Sequence, residues 1–139
     1  MDTDTQDLRA LAQTYFDAAY EMDADKFASV FHPSSSVTRI GDDGDAVSIP
    51  IADWLAAVRT IKAPKEQGFE RQDRIVSIDA ESGLALLKLK LQVPPRRFTD
   101  LLSCLKVRGT WKIVQKVMIS AVDYPTSPAV IPMEFAGVG

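Results

Sequence analysis

The chain has 139 residues, of which 46% are hydrophobic and 25% are charged, and its formal net charge is −3, which suits one globular domain with its own core. The acidic balance argues against nucleic-acid binding, and the apolar runs fall far short of the roughly 18 residues of a membrane span, so we expect neither partner. The acidic start, Asp2-Thr3-Asp4, lacks the basic region of a signal peptide and the single cysteine, Cys104, cannot pair within the chain, so we expect a cytoplasmic protein.

Helices with one short β pair are predicted in the first half of the chain. Thr3-Asp4-Thr5-Gln6 fits a capping box, and apolar residues at helical spacing follow it. Asp23 can cap a second helix, and His32-Pro33 can end it, because a residue before proline is disfavoured in a helix. Pro50 suits the first position of a third helix. The predicted elements are helices over residues 4–21, 24–31 and 50–64, and strands over residues 34–40 and 46–49.

Strands are predicted in the second half, where apolar and polar residues alternate from Phe69 onwards. Pro94-Pro95 ends one strand, and Arg108-Gly109 suits a two-residue hairpin turn, because glycine readily adopts the positive φ of such turns. The predicted strands cover residues 69–79 and 84–93 and the two arms of a hairpin over residues 97–120.

The register of this hairpin decides which side chains share a face. Counting from the turn places Leu101 opposite Lys116 and Asp100 opposite Val117. Asp100 and Lys116 then point to opposite faces of the sheet, so only one of them can line a cavity unless a bulge shifts the register. The sequence leaves open which face lines the cavity.

The order of elements, helices first and strands later, predicts an α+β fold in which the N-terminal helices pack in the concave face of a curved, mostly antiparallel sheet. We expect residues 1–124 to form a single domain and residues 125–139, which include three prolines, to form a tail. Because both faces of the predicted sheet are partly apolar, we also expect the protein to be a homodimer.

Several short motifs in this order give the chain a family resemblance. The segments Tyr15-Phe16, Asp23-Ala24-Asp25, Phe31-His32-Pro33, Arg97-Phe98-Thr99-Asp100 and Gly109-Thr110-Trp111-Lys112-Ile113-Val114 resemble the nuclear transport factor 2-like superfamily. Within it, the chain is most similar to the bacterial “putative lumazine-binding” and SnoaL-like group, over residues 5–122. The resemblance implies a cystatin-like cone in which a bent sheet wraps the first helix around an apolar cavity, and a homodimer through the outer sheet face.

The resemblance to steroid isomerases in this superfamily can be followed residue by residue. Those enzymes place a tyrosine on the first helix, a carboxylate base on the first strand and a protonated acid on a late strand. Tyr15 matches the first position and Arg39 falls at the base position, where it cannot accept a proton. The late acid falls near Ser103, or on Asp100 if a bulge shifts the register. Arg39 favours an anionic ligand, such as a carboxylate or phenolate.

Seven side chains are candidates for a ligand pocket. Tyr15 lies on the apolar stripe of the first helix, His32 is the only histidine, and Asp100 interrupts an apolar strand. Each has a structural alternative: a core tyrosine, a histidine at a helix end, or an acid paired on the surface. One histidine and one cysteine give no metal-ligand spacing, so we expect no metal and no cofactor. The seven candidates are Tyr15, His32, Arg39, Trp54, Asp100, Ser103 and Lys116.

Three hypotheses for function remain open, because the superfamily holds enzymes as well as non-catalytic binding proteins. The first is a homodimer that binds an unknown small organic ligand in an apolar pocket. The second is a lyase, cyclase or isomerase acting on a small cyclic substrate, in which Tyr15 polarises, His32 or Asp100 moves a proton, and Arg39 or Lys116 holds an anion. The third is a protein interaction module that uses the outer sheet face and the tail.

Overall fold

A six-stranded sheet carries three helices on one face. The computed structural model describes residues 3–122. The strand order is β2-β1-β6-β5-β4-β3, and all neighbours are antiparallel except β1 and β6. The predicted α+β fold, with helices on the concave face of a mostly antiparallel sheet, is therefore confirmed. The elements are α1 (Thr3–Glu21), α2 (Ala24–Ala28), β1 (Phe31–Ile40), β2 (Ala46–Pro50), α3 (Ile51–Val58), β3 (Asp73–Glu81), β4 (Leu84–Val93), β5 (Arg96–Val107) and β6 (Thr110–Val122).

The second helix was predicted too long, and the strand after it too short. α2 ends at Ala28, and β1 begins at Phe31, so His32 and Pro33 lie within the strand. β1 pairs with β6 at Phe31 and again from Ser36, with an irregular stretch between the two. Because that stretch interrupts the ladder, it accommodates a proline, which has no N–H to donate.

Three further boundaries were wrong. Pro50 is the last residue of β2 and the N-cap of α3, which ends at Val58 rather than near Pro64. β3 begins at Asp73 rather than at residue 69. The predicted tail, residues 125–139, lies outside the described residues. Within residues 3–122, no helix is both long enough and apolar enough to cross a membrane.

The core lies between α1 and the inner face of the central strands. β4 alternates strictly, so Leu87 and Leu89 are fully buried while Lys88 and Lys90 face outwards. From α1, Leu8 and Ala12 are fully buried in the same cluster. Full burial of a leucine side chain stabilises a fold by about 1.5–3 kcal/mol, so these contacts fix the helix over the sheet.

The β5–β6 hairpin turns at Arg108-Gly109, as predicted. Both residues have positive φ, 50° and 83°, which is the geometry of a two-residue turn that matches the twist of the strands. Val107 pairs with Thr110, and the simple register continues to the pair of Cys104 with Ile113.

A β-bulge then shifts the register of the hairpin by one residue. Ser103 pairs with Gln115, which leaves Val114 without an opposite residue. Beyond the bulge, Asp100 pairs with Met118, so the predicted pairing of Asp100 with Val117 was wrong. Because side chains alternate along a strand, one extra residue brings Lys116 to the inner face. Asp100 and Lys116 therefore both point towards the helices, where both are buried.

Candidate functional site

A cavity of about 160 Å³ opens between the first and third helices and the sheet. Its walls are mainly apolar, and an apolar cavity of about 150 Å³ is large enough to hold benzene. The cavity therefore has room for one small ring. Four of the seven predicted pocket residues line it: Tyr15, Trp54, Asp100 and Lys116.

Aromatic side chains build one end of this cavity. The Tyr15 ring meets the Phe27 ring edge to face, with centroids 5.2 Å apart, and Phe27 meets Trp54 in the same way at 4.8 Å. Phe31 also packs against Trp54, at 5.7 Å. Such pairs stabilise a particular orientation of each ring. They hold the Tyr15 hydroxyl towards β5 and the Trp54 ring over β6.

Tyr15 and Asp100 form a buried hydrogen bond at the floor of the cavity. The Tyr15 hydroxyl donates to Asp100 Oδ2 at 2.5 Å, and each residue is only 1% exposed. Burial, reinforced by the charge of Asp100 and by this hydrogen bond, raises the pKa of Tyr15 well above its ordinary value. The phenol is therefore neutral near pH 7 and acts as a donor.

The second oxygen of Asp100 has no such partner. Asp100 Oδ1 is buried, and no described residue hydrogen-bonds to it. A buried acceptor without a partner costs about 1–3 kcal/mol, and more for a charged group. Since Asp100 lines the cavity, a ligand that places a donor at Oδ1 would relieve this cost.

Lys116 brings a positive charge to the same place. Its Nζ lies 3.7 Å from Asp100 Oδ2, which is longer than an ordinary N–H···O hydrogen bond. The amine also lies 4.2 Å from the centroid of the Trp54 ring and 5.2 Å from that of Tyr15, within range of cation–π attraction. Burial lowers the pKa of Lys116, and the Asp100 carboxylate opposes this effect.

The other three predicted residues do not line this cavity. His32 Nδ1 lies 2.7 Å from the Ser34 hydroxyl on a partly exposed stretch of β1. Arg39 is exposed, and its guanidinium donates to the Ile40 carbonyl at 3.2 Å. Ser103 lies on the outer face of β5, because the buried residues on either side of it in the strand face inwards.

Met118 and Phe98 line the cavity but were not among the predicted residues. Counting by two from Trp111, which is buried, places Met118 on the outer face of β6. The bulge reverses that assignment, and nothing in the local sequence marks its position. For Phe98, an aromatic residue two positions before Asp100 was an available signal, since the two share a face.

The described residues offer no metal centre. Within residues 3–122, no group of three or more histidine, cysteine, aspartate or glutamate side chains could hold a metal ion. Cys104 is buried in β5, and burial raises the pKa of its thiol to about 12. A thiol that stays protonated near neutral pH is a poor nucleophile.

Comparisons with known proteins agree with this architecture. The family model described as “Putative lumazine-binding” matches residues 3–118. A nuclear transport factor 2-like protein of unknown function from Shewanella baltica OS155 is 19% identical, with a TM-score of 0.78 over 89% of this chain and 96% of that one. A ketosteroid isomerase-like protein from Erwinia carotovora atroseptica SCRI1043 is 13% identical, with a TM-score of 0.67 over 92% and 100%. A domain of unknown function with a cystatin-like fold from Nostoc punctiforme PCC 73102 is 15% identical, with a TM-score of 0.67 over 91% and 81%.

Proposed function

The chain belongs to the “Putative lumazine-binding” family of the nuclear transport factor 2-like superfamily, and from this premise we propose that it binds a small cyclic organic molecule in the cavity. The observation that carries the proposal is the buried Asp100 Oδ1, which has no hydrogen-bond partner among the described residues and belongs to a side chain that lines the cavity. The predicted family resemblance is confirmed, while the ligand and its site are proposals.

Two polar groups and one aromatic ring define what such a molecule needs. Asp100 Oδ1 calls for a donor, such as an N–H or O–H. Lys116, beside it, calls for a carbonyl oxygen or an anionic oxygen. The Trp54 ring offers a flat apolar wall for the rest of the molecule. A single ring with neighbouring donor and acceptor atoms meets all three requirements.

We expect 2-pyridone, a ring with adjacent N–H and C=O groups, to quench tryptophan fluorescence on binding and to raise the melting temperature. The protein has two tryptophans: Trp54 lines the cavity, whereas Trp111 donates to Asp4 Oδ1 at 3.2 Å. Trp54→Phe should therefore abolish the quenching, and Trp111→Phe should preserve it. Quenching that disappears only in Trp111→Phe, or the absence of any binding, would count against the proposed site.

Acid–base catalysis is the second candidate function, and the Tyr15–Asp100 pair favours it. A donor and a carboxylate 2.5 Å apart can stabilise and move a proton next to a bound carbonyl compound. Nothing comparable is built around His32 or Arg39, which do not line the cavity. If this candidate is correct, the protein accelerates exchange of solvent deuterium into cyclohexanone, measured by NMR, and Asp100→Asn abolishes the acceleration. Equal rates with and without protein would exclude cyclohexanone as a substrate.

We also propose that the protein is a homodimer through the outer face of the sheet. Apolar side chains lie exposed on this face, including Leu86 at 42%, Val117 at 48% and Ile119 at 66%. Exposed apolar patches of this kind are typical of interfaces. In a sedimentation experiment, Ile119→Lys should convert the dimer into a monomer, because the new lysine would be a charge buried in the interface. Phe69→Lys, at a 39% exposed position before β3, serves as the control, and a dimer that survives Ile119→Lys would contradict this interface.

A further inference from the structure

Lys116 has an environment unlike that of an ordinary surface lysine. Its side chain is 4% exposed, and it is the only buried lysine among residues 3–122. Its amine contacts the Trp54 ring, and the side chain lines the cavity. Asp100 is near enough to exchange a proton with it after a small movement, but at 3.7 Å it does not hold the amine in a short hydrogen bond.

We propose that Lys116 forms a reversible imine with a small aldehyde or ketone in this cavity, an inference that rests on the proposed function and names its ligand class. An amine can attack a carbonyl carbon only when it is neutral. Lysines buried in apolar surroundings provide such amines, because a charged ammonium is poorly solvated there. The bond to Lys116 would also place the rest of the carbonyl compound against the aromatic wall of the cavity.

Burial lowers the pKa of Lys116, while the Asp100 carboxylate raises it by a smaller amount. Among residues 3–122, the titratable side chains in contact with the amine are Asp100, whose Oδ2 lies 3.7 Å away, and Tyr15, whose ring centroid lies 5.2 Å away. Transfer of one proton from the Lys116 ammonium to Asp100 gives an uncharged amine and an uncharged acid. This neutral pair is the form that reacts, and the cost of desolvating two charges keeps it accessible from the resting ion pair. Asp100 Oδ1, which has no partner among the described residues, is an available atom for that proton.

The chemical step balances with these groups alone. The lone pair of the Lys116 amine forms a bond to the carbonyl carbon, the C=O π pair moves to oxygen, and one proton passes from nitrogen to that oxygen, which gives a carbinolamine. The Asp100 acid then gives its proton to the hydroxyl, which leaves as water as the C=N bond forms. The products are a protonated imine at Lys116, a carboxylate at Asp100 and one water molecule. No oxidant or reductant is consumed.

Trapping with a mild hydride donor tests the proposal on the full chain. The protein is incubated with benzaldehyde and sodium cyanoborohydride, which reduces an imine to a stable benzylamine, and the modified lysines are located by peptide mass spectrometry. We expect Lys116 to be labelled at least tenfold faster than any other lysine at neutral pH, because surface amines are mostly protonated there. Labelling spread evenly over the surface lysines would overturn the proposal.

Matched variants separate chemistry from folding. Lys116→Arg keeps a positive charge in the cavity but cannot form an imine, and Lys116→Met keeps the chain length without the amine, so both should lose the fast labelling. Lys88→Met, on the exposed face of β4, should keep it. The wild-type peptide map decides the question even if a cavity variant fails to fold.

Benzyl alcohol has the same ring as benzaldehyde but no carbonyl group. It therefore separates imine formation at Lys116 from the broader proposal that the cavity binds a cyclic molecule. If benzyl alcohol protects Lys116 from labelling by benzaldehyde, the result supports both imine formation and binding in the cavity. If benzyl alcohol quenches Trp54 while benzaldehyde leaves Lys116 unmodified, the imine proposal is wrong and ligand binding stands. If neither compound binds or reacts, the imine proposal fails together with the proposed function for this ligand class.

Discussion

Replacing Asp100 by alanine is expected to lower the free energy of unfolding by about 3–5 kcal/mol, because removing one partner leaves the other charge buried and uncompensated. The partner is Lys116, which is 4% exposed and lies 3.7 Å from the carboxylate. The substitution also removes the acceptor of the Tyr15 hydroxyl. Urea denaturation, read by far-UV circular dichroism, measures the difference.

The loss of unfolding free energy in Asp100→Ala should depend on pH in a defined direction. The pKa of Lys116 is already lowered by burial, and Asp100 raises it, so Asp100→Ala lowers it further. Between the lowered pKa of Lys116 in the folded variant and the ordinary lysine pKa of about 10.4, the unfolded variant then binds more protons than the folded one, which makes its stability rise with pH. Relative to the wild type at each pH, the deficit in unfolding free energy should therefore shrink as the pH rises through this window.

Two further variants control this prediction. The double variant Asp100→Ala/Lys116→Met has no buried ammonium, so it should recover most of the loss and show strong non-additivity. Asp73→Ala removes one side of a surface pair with Arg71 at 3.1 Å, and exposed pairs of this kind contribute about 0–1 kcal/mol. A deficit in Asp100→Ala that is constant with pH and is retained in the double variant would mean that Lys116 is not the source of the loss.

Helices, strands and turns could be predicted from the sequence wherever a single pattern was present without a competing signal. The helical spacing of α1, the strict alternation of β4 and the glycine in the Arg108-Gly109 turn each point to one structure, and each prediction was confirmed. The predictions failed where proline was taken as a stop signal. Pro33 lies inside β1, where interrupted pairing tolerates a residue without an N–H, and α3 ends at Val58, well before Pro64.

The candidate site depended on a feature that the local sequence does not mark. Asp100 and Lys116 share the inner face because Val114 forms a bulge. Valine is an ordinary strand residue, so neither composition nor alternation distinguishes it as the extra one. Only a condition for the site could be deduced from the sequence. Without a bulge, Asp100 and Lys116 lie on opposite faces of the sheet, and with one extra residue in β6 they lie on the same face. Choosing between these outcomes needed the packing of α1, which places Tyr15 within hydrogen-bond distance of Asp100.

Tyr15→Phe is expected to lower the free energy of unfolding by about 1–3 kcal/mol, which is the usual cost of leaving a buried polar group without its hydrogen bond. Asp100 Oδ1 already lacks a partner among the described residues, and the change would take the Tyr15 donor from Oδ2 as well. Lys116 would remain, 3.7 Å from Oδ2, so the loss should be smaller than in Asp100→Ala. The probe 2-pyridone should also bind less tightly, because the carboxylate that accepts its N–H would be less firmly positioned.

Tyr20→Phe is the matched control for this prediction, since it removes a hydroxyl from the same helix. The Tyr20 hydroxyl donates to the Phe69 carbonyl at 2.7 Å near the surface, where water can replace it, so the cost should be about 0.5–1.5 kcal/mol and 2-pyridone binding should not change. Urea denaturation and fluorescence titration of both variants provide the comparison. If the two substitutions had equal effects on stability and on binding, the Tyr15–Asp100 hydrogen bond would be an ordinary core contact, and the ligand site would have to be sought away from it.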